Sequence, residues 1–161
     1  MIDNCDSLKV DLGATLRNRA PRYARFMPRF IVRWLEKTIC QDELNGILDR
    51  TRGKTGAEFC RAVLEDLNVS YTVNGADRLP RDKRLIIVSN HPLGALDGII
   101  MIDWISKVYG SDVKFIVNDL LMAVQPLSNV FLPVNKHGKQ SRSASSVIDD
   151  TLAGDNPVII F

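Results

Sequence analysis

One histidine and one aspartate lie close together in a short segment of this sequence, where they can act as a catalytic pair. Residues 89–98 read Ser-Asn-His-Pro-Leu-Gly-Ala-Leu-Asp-Gly and place His91 six positions before Asp97. A turn containing Pro92 and Gly94 can fold back so that the carboxylate meets one imidazole nitrogen. The other nitrogen can then take a proton from an attacking hydroxyl or amine, because imidazole changes its charge near neutral pH.

The same two residues also fit a purely structural role. Asp97 stands where the following helix would take its N-cap, and His91 can be an ordinary turn residue. A lone histidine and aspartate do not separate these two interpretations. The choice between the two roles therefore depends on where the surrounding helices and strands place His91 and Asp97.

The segments around this pair predict an α/β fold. Beyond residue 79, short apolar runs alternate with helical patterns. Alternation of this kind is typical of a mainly parallel sheet flanked by helices. Residues 69–75, Val-Ser-Tyr-Thr-Val-Asn-Gly, predict a further strand because apolar and polar residues alternate. We expect strands at residues 85–89, 113–117, 131–134 and 157–161, and helices at residues 98–109, at 119–129 and from about 143.

An N-terminal helical segment is predicted to precede the sheet. Apolar residues at three- and four-residue spacing predict helices over residues 21–40, 41–53 and 55–67. Pro28 predicts a kink in the first helix or its division into two shorter helices, and Thr55 with Glu58 predicts a capping box on the third. We therefore expect an N-terminal helical, membrane-surface segment over residues 1–68 and the N-terminal part of an α/β domain over 69–161. Since the sequence stops inside the apolar run at residues 158–161, we expect a truncated chain.

Basic residues are concentrated in the first predicted helix. Between Arg17 and Lys37 there are seven basic residues and one acid, Glu36, which gives a local charge of 7 − 1 = +6. Such a helix can bind an anionic membrane surface, and it can equally pack on the domain with a solvated arginine face. The membrane interpretation assigns the contact to Arg22, Arg25, Arg29 and Arg33.

Polar residues follow three of the predicted strands. They are Asn90-His91, Asn118-Asp119 and the Asn-Lys-His-Gly-Lys segment at residues 135–139. Because the carboxyl ends of parallel strands meet at one edge, where ligands bind in such sheets, this edge is the predicted site. The glycine between Lys136 and Lys139 can form an anion-binding nest there, although the segment can also be a solvated loop.

The first of these blocks resembles the first motif of the glycerolipid (lysophospholipid) acyltransferase family, in which Asn-His is followed by four residues and an aspartate. Asn90 and His91 match the motif, but five residues separate His91 from Asp97. The segment His-Pro-Leu-Gly-Ala-Leu-Asp-Gly is more similar to the corresponding segment of the hemolysin-like branch of this family. Members of that branch include N-acyltransferases that make ornithine and glycine lipids. The resemblance implies that His91 and Asp97 are catalytic and that Asn90 and Gly94 bind substrate.

A second block, Phe131-Leu-Pro-Val-Asn-Lys, is similar to the second motif of the same family. In the family, a basic residue there helps to hold the anionic group of the acceptor. The resemblance assigns that role to Lys136 beside Asn135, with Lys139 and Arg142 as auxiliaries. Family members continue from a final strand into Phe-Pro-Glu-Gly, of which Phe161 would be the first residue. The resemblance covers roughly residues 79–161.

The resemblance implies that a fatty acyl group passes directly from a thioester of acyl carrier protein or coenzyme A to a lipid-pathway acceptor. His91 would be the general base, with no resident cofactor and no acyl-enzyme. The acceptor would be the amine of an amino acid or the hydroxyl of a lysolipid, and the similarity of residues 91–94, His-Pro-Leu-Gly, to the N-acyltransferase branch favours the amine. A 1-acylglycerol-3-phosphate O-acyltransferase of phospholipid synthesis and a non-catalytic membrane-binding module are the alternatives. A hydrolase fits less well, because Ser89 lacks the G-x-S-x-G elbow.

Net charge, cysteine content and the N-terminal sequence indicate which partners, covalent or metal sites and cellular location to expect. A net charge of +2 does not indicate a nucleic-acid partner. Cys5, Cys40 and Cys60 are odd in number and lack C-x-x-C spacing, so neither a disulfide framework nor a metal site is predicted. An acidic N-terminus and the absence of an apolar run of about 18 residues predict a cytoplasmic protein, peripheral on the cytoplasmic membrane face.

Overall fold

Two compact units make up the chain, residues 1–52 and residues 53–161. The computed structural model describes residues 11, 13–14, 17, 25–38, 40–81, 84–110, 112–118, 121–122, 124–134 and 142–161. Within these described ranges, two helices of the first unit and three helices and a parallel sheet of the second have defined bounds.

In the first unit, helix α1 spans Arg29–Thr38 and helix α2 spans Gln41–Arg50, and the two pack against each other. Residues 25–26 are helical and residues 27–28 are not, so the break predicted at Pro28 is confirmed. The carbonyl of Pro28 accepts the Ile31 N–H at 3.0 Å, which starts α1 after the break. A left-handed residue, Cys40 with φ 51°, turns the chain from α1 into α2.

In the second unit, four parallel strands are accompanied by helices, as the sequence predicts. The strands lie in the order β1-β4-β2-β3, so β4, the last in the chain, lies between β1 and β2. The elements, in chain order, are α3 (Gly56–Asp66), β1 (Ile86–Val88), α4 (Ala95–Tyr109), β2 (Lys114–Asn118), β3 (Phe131–Val134), α5 (Arg142–Ala153) and β4 (Val158–Ile160).

The core of this unit lies where α3 and α4 pack together and where the central strands are covered. Short runs of β-branched and aromatic residues suit strands that are buried on both faces. The buried apolar side chains include Phe59, Val63, Ile102, Ile105, Phe115, Val117, Leu132, Val158 and Ile159. By contrast, β1 is an edge strand, and its Ile86 and Val88 are exposed.

The strand predicted at residues 69–75 is wrong. The segment pairs with no strand and ends in a 3-10 turn, Ala76–Arg78, after the left-handed Gly75. Its burial nevertheless alternates as the sequence does, with Val69, Tyr71 and Val73 half-buried and the residues between them exposed. The alternation thus reflects which side chains pack inward and not a backbone ladder.

Two other local predictions also fail. Residues 121–122 and Gln125–Leu127 form 3-10 turns and not the predicted helix over 119–129, of which residues 119, 120 and 123 lie outside the described ranges. Pro126 lacks the N–H that a continuing α-helix needs. Thr55 occupies the N-cap position of α3, but its side chain makes no capping hydrogen bond, so the predicted capping box does not form.

Candidate active site

The loop between β1 and α4 begins at the carboxyl end of the edge strand. The Ser89 N–H donates to the Ile160 carbonyl at 3.1 Å, which extends the pairing of β1 with β4 by one residue. Residues 92–94 then form a turn that ends at Gly94, the N-cap of α4. Gly94 has φ 65° and ψ −135°, a conformation that only glycine adopts without strain.

Asp97 is the third residue of α4 and not its N-cap, so that part of the prediction is wrong. Its Oδ2 accepts the Leu93 N–H at 2.7 Å, and its own N–H donates to the Gly94 carbonyl at 3.1 Å. The carboxylate thus closes the turn from inside the helix. The first turn of a helix also favours a negative charge, because its unpaired N–H groups carry partial positive charge.

The structure brings His91 and Asp97 together. Nδ1 of His91 lies 3.5 Å from Oδ2 of Asp97, the same oxygen that accepts the Leu93 N–H. The His91 side chain is 42% exposed and that of Asp97 is 17% exposed. This separation is longer than the roughly 2.7–3.2 Å of an ordinary N–H···O hydrogen bond.

Aromatic rings support the imidazole from the sheet. The Phe161 ring stacks on His91 with centroids 4.3 Å apart, and Phe115 meets Phe161 edge-on at 5.0 Å. A Cβ atom on Gly98 would lie 3.0 Å from Phe115 Cε1, so the absence of a side chain there lets α4 approach β2. No local pattern points to Phe115, and Phe161 stands out in the sequence only as a motif residue, because the order of the strands is not visible in the sequence.

The predicted substrate-binding residues divide into described and undescribed ones. Asn90 is exposed, and its carbonyl accepts the Ser89 hydroxyl at 3.0 Å. Arg142 is the first residue of α5. Asn135, Lys136 and Lys139 lie outside the described residues, as does Arg22 of the predicted membrane contact. A role in substrate binding stays a prediction for the six residues assigned to it, which are Asn90, Gly94, Asn135, Lys136, Lys139 and Arg142.

The sheet order separates the two sequence blocks across its carboxyl edge. Strands β1 and β3 are the outer strands, with β4 and β2 between them. At about 4.8 Å per strand, the end of β3 lies roughly 14 Å from the end of β1.

A second polar cluster lies away from this loop, and the sequence analysis did not identify it. Asp103 of α4 is 1% exposed. Its Oδ1 accepts Arg61 Nε at 3.2 Å, and its Oδ2 accepts the Tyr71 hydroxyl at 2.6 Å and Lys107 Nζ at 2.5 Å. Burial alone would raise the pKa of Asp103, but these three donors, Lys107 first, hold the pKa below its ordinary value.

Metal binding and membrane crossing find no support in the described ranges. Among those residues, no group of three or more His, Cys, Asp or Glu side chains could hold a metal ion. None of the helices there combines the length and the apolar character that crossing a bilayer requires.

Comparison with known proteins decides the family. A family model described as Acyltransferase matches residues 14–161 of the chain. The chain belongs to this acyltransferase family. The family that residues 90–97 and 131–136 indicate is thereby confirmed. No solved structure matches it.

Two curated relatives of this acyltransferase-family chain carry the name lyso-glycine lipid O-acyltransferase. The one from Bacteroides thetaiotaomicron is 35% identical over 152 residues, which cover 94% of this chain and 56% of the relative. The one from Phocaeicola vulgatus is 36% identical over 152 residues, which cover 94% of this chain and 54% of the relative. The chain thus spans about half the length of the curated relatives it matches.

Proposed function

We propose that the chain carries the general base of a lipid O-acyltransferase, which moves a fatty acyl group from a thioester to the hydroxyl of a lyso-glycine lipid or a similar lysolipid. The observation that carries this proposal is the approach of His91 to Asp97 at the carboxyl end of β1. The names of the two relatives support the reaction and the class of acceptor.

In the proposed reaction, Asp97 orients His91 and stabilises the imidazolium. Its Oδ2 lies 3.5 Å from Nδ1, so a proton on Nδ1 would face the carboxylate and Nε2 would be the basic nitrogen. The carboxylate is itself held by the Leu93 N–H, which keeps it in place while the imidazole changes its charge. The Phe161 ring restricts the imidazole to the plane in which it stacks.

The steps balance without a covalent enzyme intermediate. The acceptor hydroxyl oxygen attacks the thioester carbonyl carbon while its proton passes to Nε2 of His91. The tetrahedral intermediate collapses, the C–S bond breaks, and the leaving thiolate takes the proton from the imidazolium. The products are an ester and the free thiol of acyl carrier protein or coenzyme A.

The width of the sheet edge favours a long acceptor over a free amino acid. The end of β3 lies roughly 14 Å from the end of β1, as estimated from strand spacing. We propose that Lys136, aided by Asn135, Lys139 and Arg142, holds an anionic headgroup after β3 while the hydroxyl lies at His91. A lysolipid can extend over such a distance, whereas the amine and the carboxylate of one glycine molecule are too close together.

Substitutions at the catalytic pair test the mechanism in the intact protein. His91→Ala should lower kcat by a factor of about 10² to 10⁴, the usual contribution of a general base. Asp97→Asn keeps an oxygen that can accept the Leu93 N–H and removes only the charge, so it should cause a smaller loss in kcat with unchanged folding. Wild-type transfer rates in His91→Ala would refute the role of His91 as the general base.

The product identifies the acceptor. The enzyme is incubated with a labelled acyl thioester of either coenzyme A or acyl carrier protein and with one of three acceptors: lyso-glycine lipid, lysophosphatidate or glycine. With lyso-glycine lipid as the acceptor, we expect a labelled lipid product. Hydroxylamine should release the label from this product, because hydroxylamine cleaves esters and spares amides. A resistant product from glycine would show N-acylation, and a preference for lysophosphatidate would place the enzyme in phospholipid synthesis.

A further inference from the structure

Helix α1 carries aromatic and basic side chains on one continuous face. Phe30 is 72% exposed and Trp34 is 63% exposed. Together with Arg29, Arg33 and Lys37 they line one shallow groove, and we call these five residues the α1 face. At about 100° per residue, the five positions fall within an arc of roughly 140°. Rings and cations therefore lie side by side on a single surface.

The opposite side of the helix is more protected. Ile31 and Val32 are half-buried, whereas Phe30 and Trp34 are not. Phe26 is one of the two described helical residues before α1 and is 84% exposed, which adds another ring in the same stretch of chain. An amphipathic helix normally turns its large apolar side chains inward, so an exposed aromatic cluster of this kind marks an interaction surface.

The chemistry of the α1 face selects its partner. Phenylalanine and tryptophan rings are stable at the boundary between lipid headgroups and acyl chains, and arginine and lysine attract anionic headgroups. An acidic protein would satisfy the three cations but gives no reason for two large rings exposed between them. We propose that the α1 face binds the surface of a membrane that contains anionic lipid, with its rings at the headgroup boundary and its cations on the phosphates.

Vesicle binding by the full chain tests the charge component. The chain should sediment with vesicles of phosphatidylglycerol and phosphatidylcholine, and less with phosphatidylcholine alone. Added salt should weaken the binding, because it screens exposed charges. The double variant Arg29→Gln, Arg33→Gln should bind the anionic vesicles about tenfold more weakly than the wild type does. The matched control Arg52→Gln, Arg78→Gln removes the same charge from exposed positions elsewhere and should bind like the wild type.

Fluorescence of Trp34 tests the aromatic component. Its emission should shift to shorter wavelength when the chain binds anionic vesicles. Trp34→Phe should keep most of the binding and lose the shift, whereas the double variant Phe30→Ser, Trp34→Ser should lose most of the binding. The control Leu67→Ala shortens an exposed apolar side chain outside the α1 face and should leave binding unchanged. Circular dichroism confirms that each variant is folded.

Three results would overturn the proposal. They are no binding to vesicles that contain no protein, equal binding by Arg29→Gln, Arg33→Gln and by its control, and a spectral shift that persists in Trp34→Phe. Binding of an acidic carrier protein in place of vesicles, abolished by the same arginine substitutions, would reassign the α1 face to a protein partner. None of these readings depends on acyl transfer.

Discussion

At the scale of single residues, the position of His91 depends on a closed turn. Gly94 turns the chain with φ 65° and ψ −135°, and Asp97 Oδ2 accepts the Leu93 N–H across that turn. The same oxygen faces His91 Nδ1. A change in the backbone at Gly94 therefore reaches the proposed base through the atoms that hold it.

Gly94→Ala should lower the transfer rate of a protein that is still folded. An added Cβ meets no atom within 4 Å, so the cost is backbone strain, about 1–3 kcal/mol. We expect the loop to relieve that strain by moving and kcat to fall. Gly110→Ala is the matched control, because it lies at the other end of α4 with φ 59° and also has open space.

The control should lose about 1 kcal/mol in urea unfolding and keep its kcat. Equal kcat in the two variants would show that the turn at Gly94 does not position the base. The comparison uses one helix and one type of substitution, so it separates the site from general stability.

The approach of His91 to Asp97 could be predicted from the sequence, whereas the aromatic ring that stacks on His91 could not. A histidine and an aspartate six positions apart, around a proline and a glycine, require only a local turn, and local turns are visible in sequence. The stack of Phe161 on His91 requires β4 to lie beside β1. That neighbour relation joins residues 70 positions apart, and no local pattern encodes it.

At the scale of elements, Asp103 joins three parts of the second unit. It lies on α4, and its partners are Arg61 on α3, Tyr71 in the segment before the sheet, and Lys107 one turn further along α4. The carboxylate is buried, so these donors replace the water that it loses on folding. The cluster thus fixes α4, whose first turn carries Asp97.

Tyr71→Phe should destabilise the fold by about 1.5–3 kcal/mol, because it removes a hydrogen bond to a buried charged group. Tyr109→Phe is the control: its hydroxyl donates at 2.9 Å to the neutral carbonyl of Pro80, a bond worth about 0.5–1.5 kcal/mol. Urea unfolding measures both. If Tyr109→Phe cost as much as Tyr71→Phe, Asp103 would not organise these elements.

The same cluster explains why the strand prediction at residues 69–75 fails. Alternating side chains of a segment pack inward whether or not its backbone pairs, and here Tyr71 turns inward to bind Asp103. The longer apolar run of α4 predicts its helix correctly. The apolar run of α4 ends at Gly110, which adopts the left-handed conformation that commonly follows a helix.

At the scale of the whole molecule, two buried ionisable groups, Asp103 and Cys60, and the exposed Lys107 that pairs with Asp103 set the pH range over which the fold is stable. The donors around Asp103 hold the pKa of its carboxyl below 3.8. Burial, followed by the nearby charge of Asp103, raises the pKa of the Cys60 thiol from 9.0 to about 12. The hydrogen bond to Asp103 raises the pKa of Lys107 above 10.5. These directions predict a plateau in stability with a loss on both the acid and the alkaline side.

On the acid side, the unfolded chain binds a proton at Asp103 at higher pH than the folded chain does. The stabilisation from Asp103 is therefore fully present above 3.8 and is lost as the pH falls through the lowered folded pKa. Urea unfolding of the wild type and of Asp103→Asn tests this, because the variant keeps the other carboxyl groups. The difference in unfolding free energy between the two proteins should shrink as the pH falls below 3.8, and a constant difference would contradict the role of Asp103.

On the alkaline side, the Cys60 thiol ionises in the unfolded chain from pH 9.0 but remains protonated in the fold. The folded state then binds more protons, so stability falls as the pH rises above 9.0, by up to about 1.4 kcal/mol per pH unit for one proton. Over the interval from pH 9.0 to 10.5 this loss begins before those from Tyr71, whose pKa is raised above 10.0 chiefly by burial, and from Lys107. Cys60→Ala should start less stable because of the cavity it creates, but it should lose less stability over this interval. Parallel curves for the variant and the wild type would show that the thiol is not protected by burial.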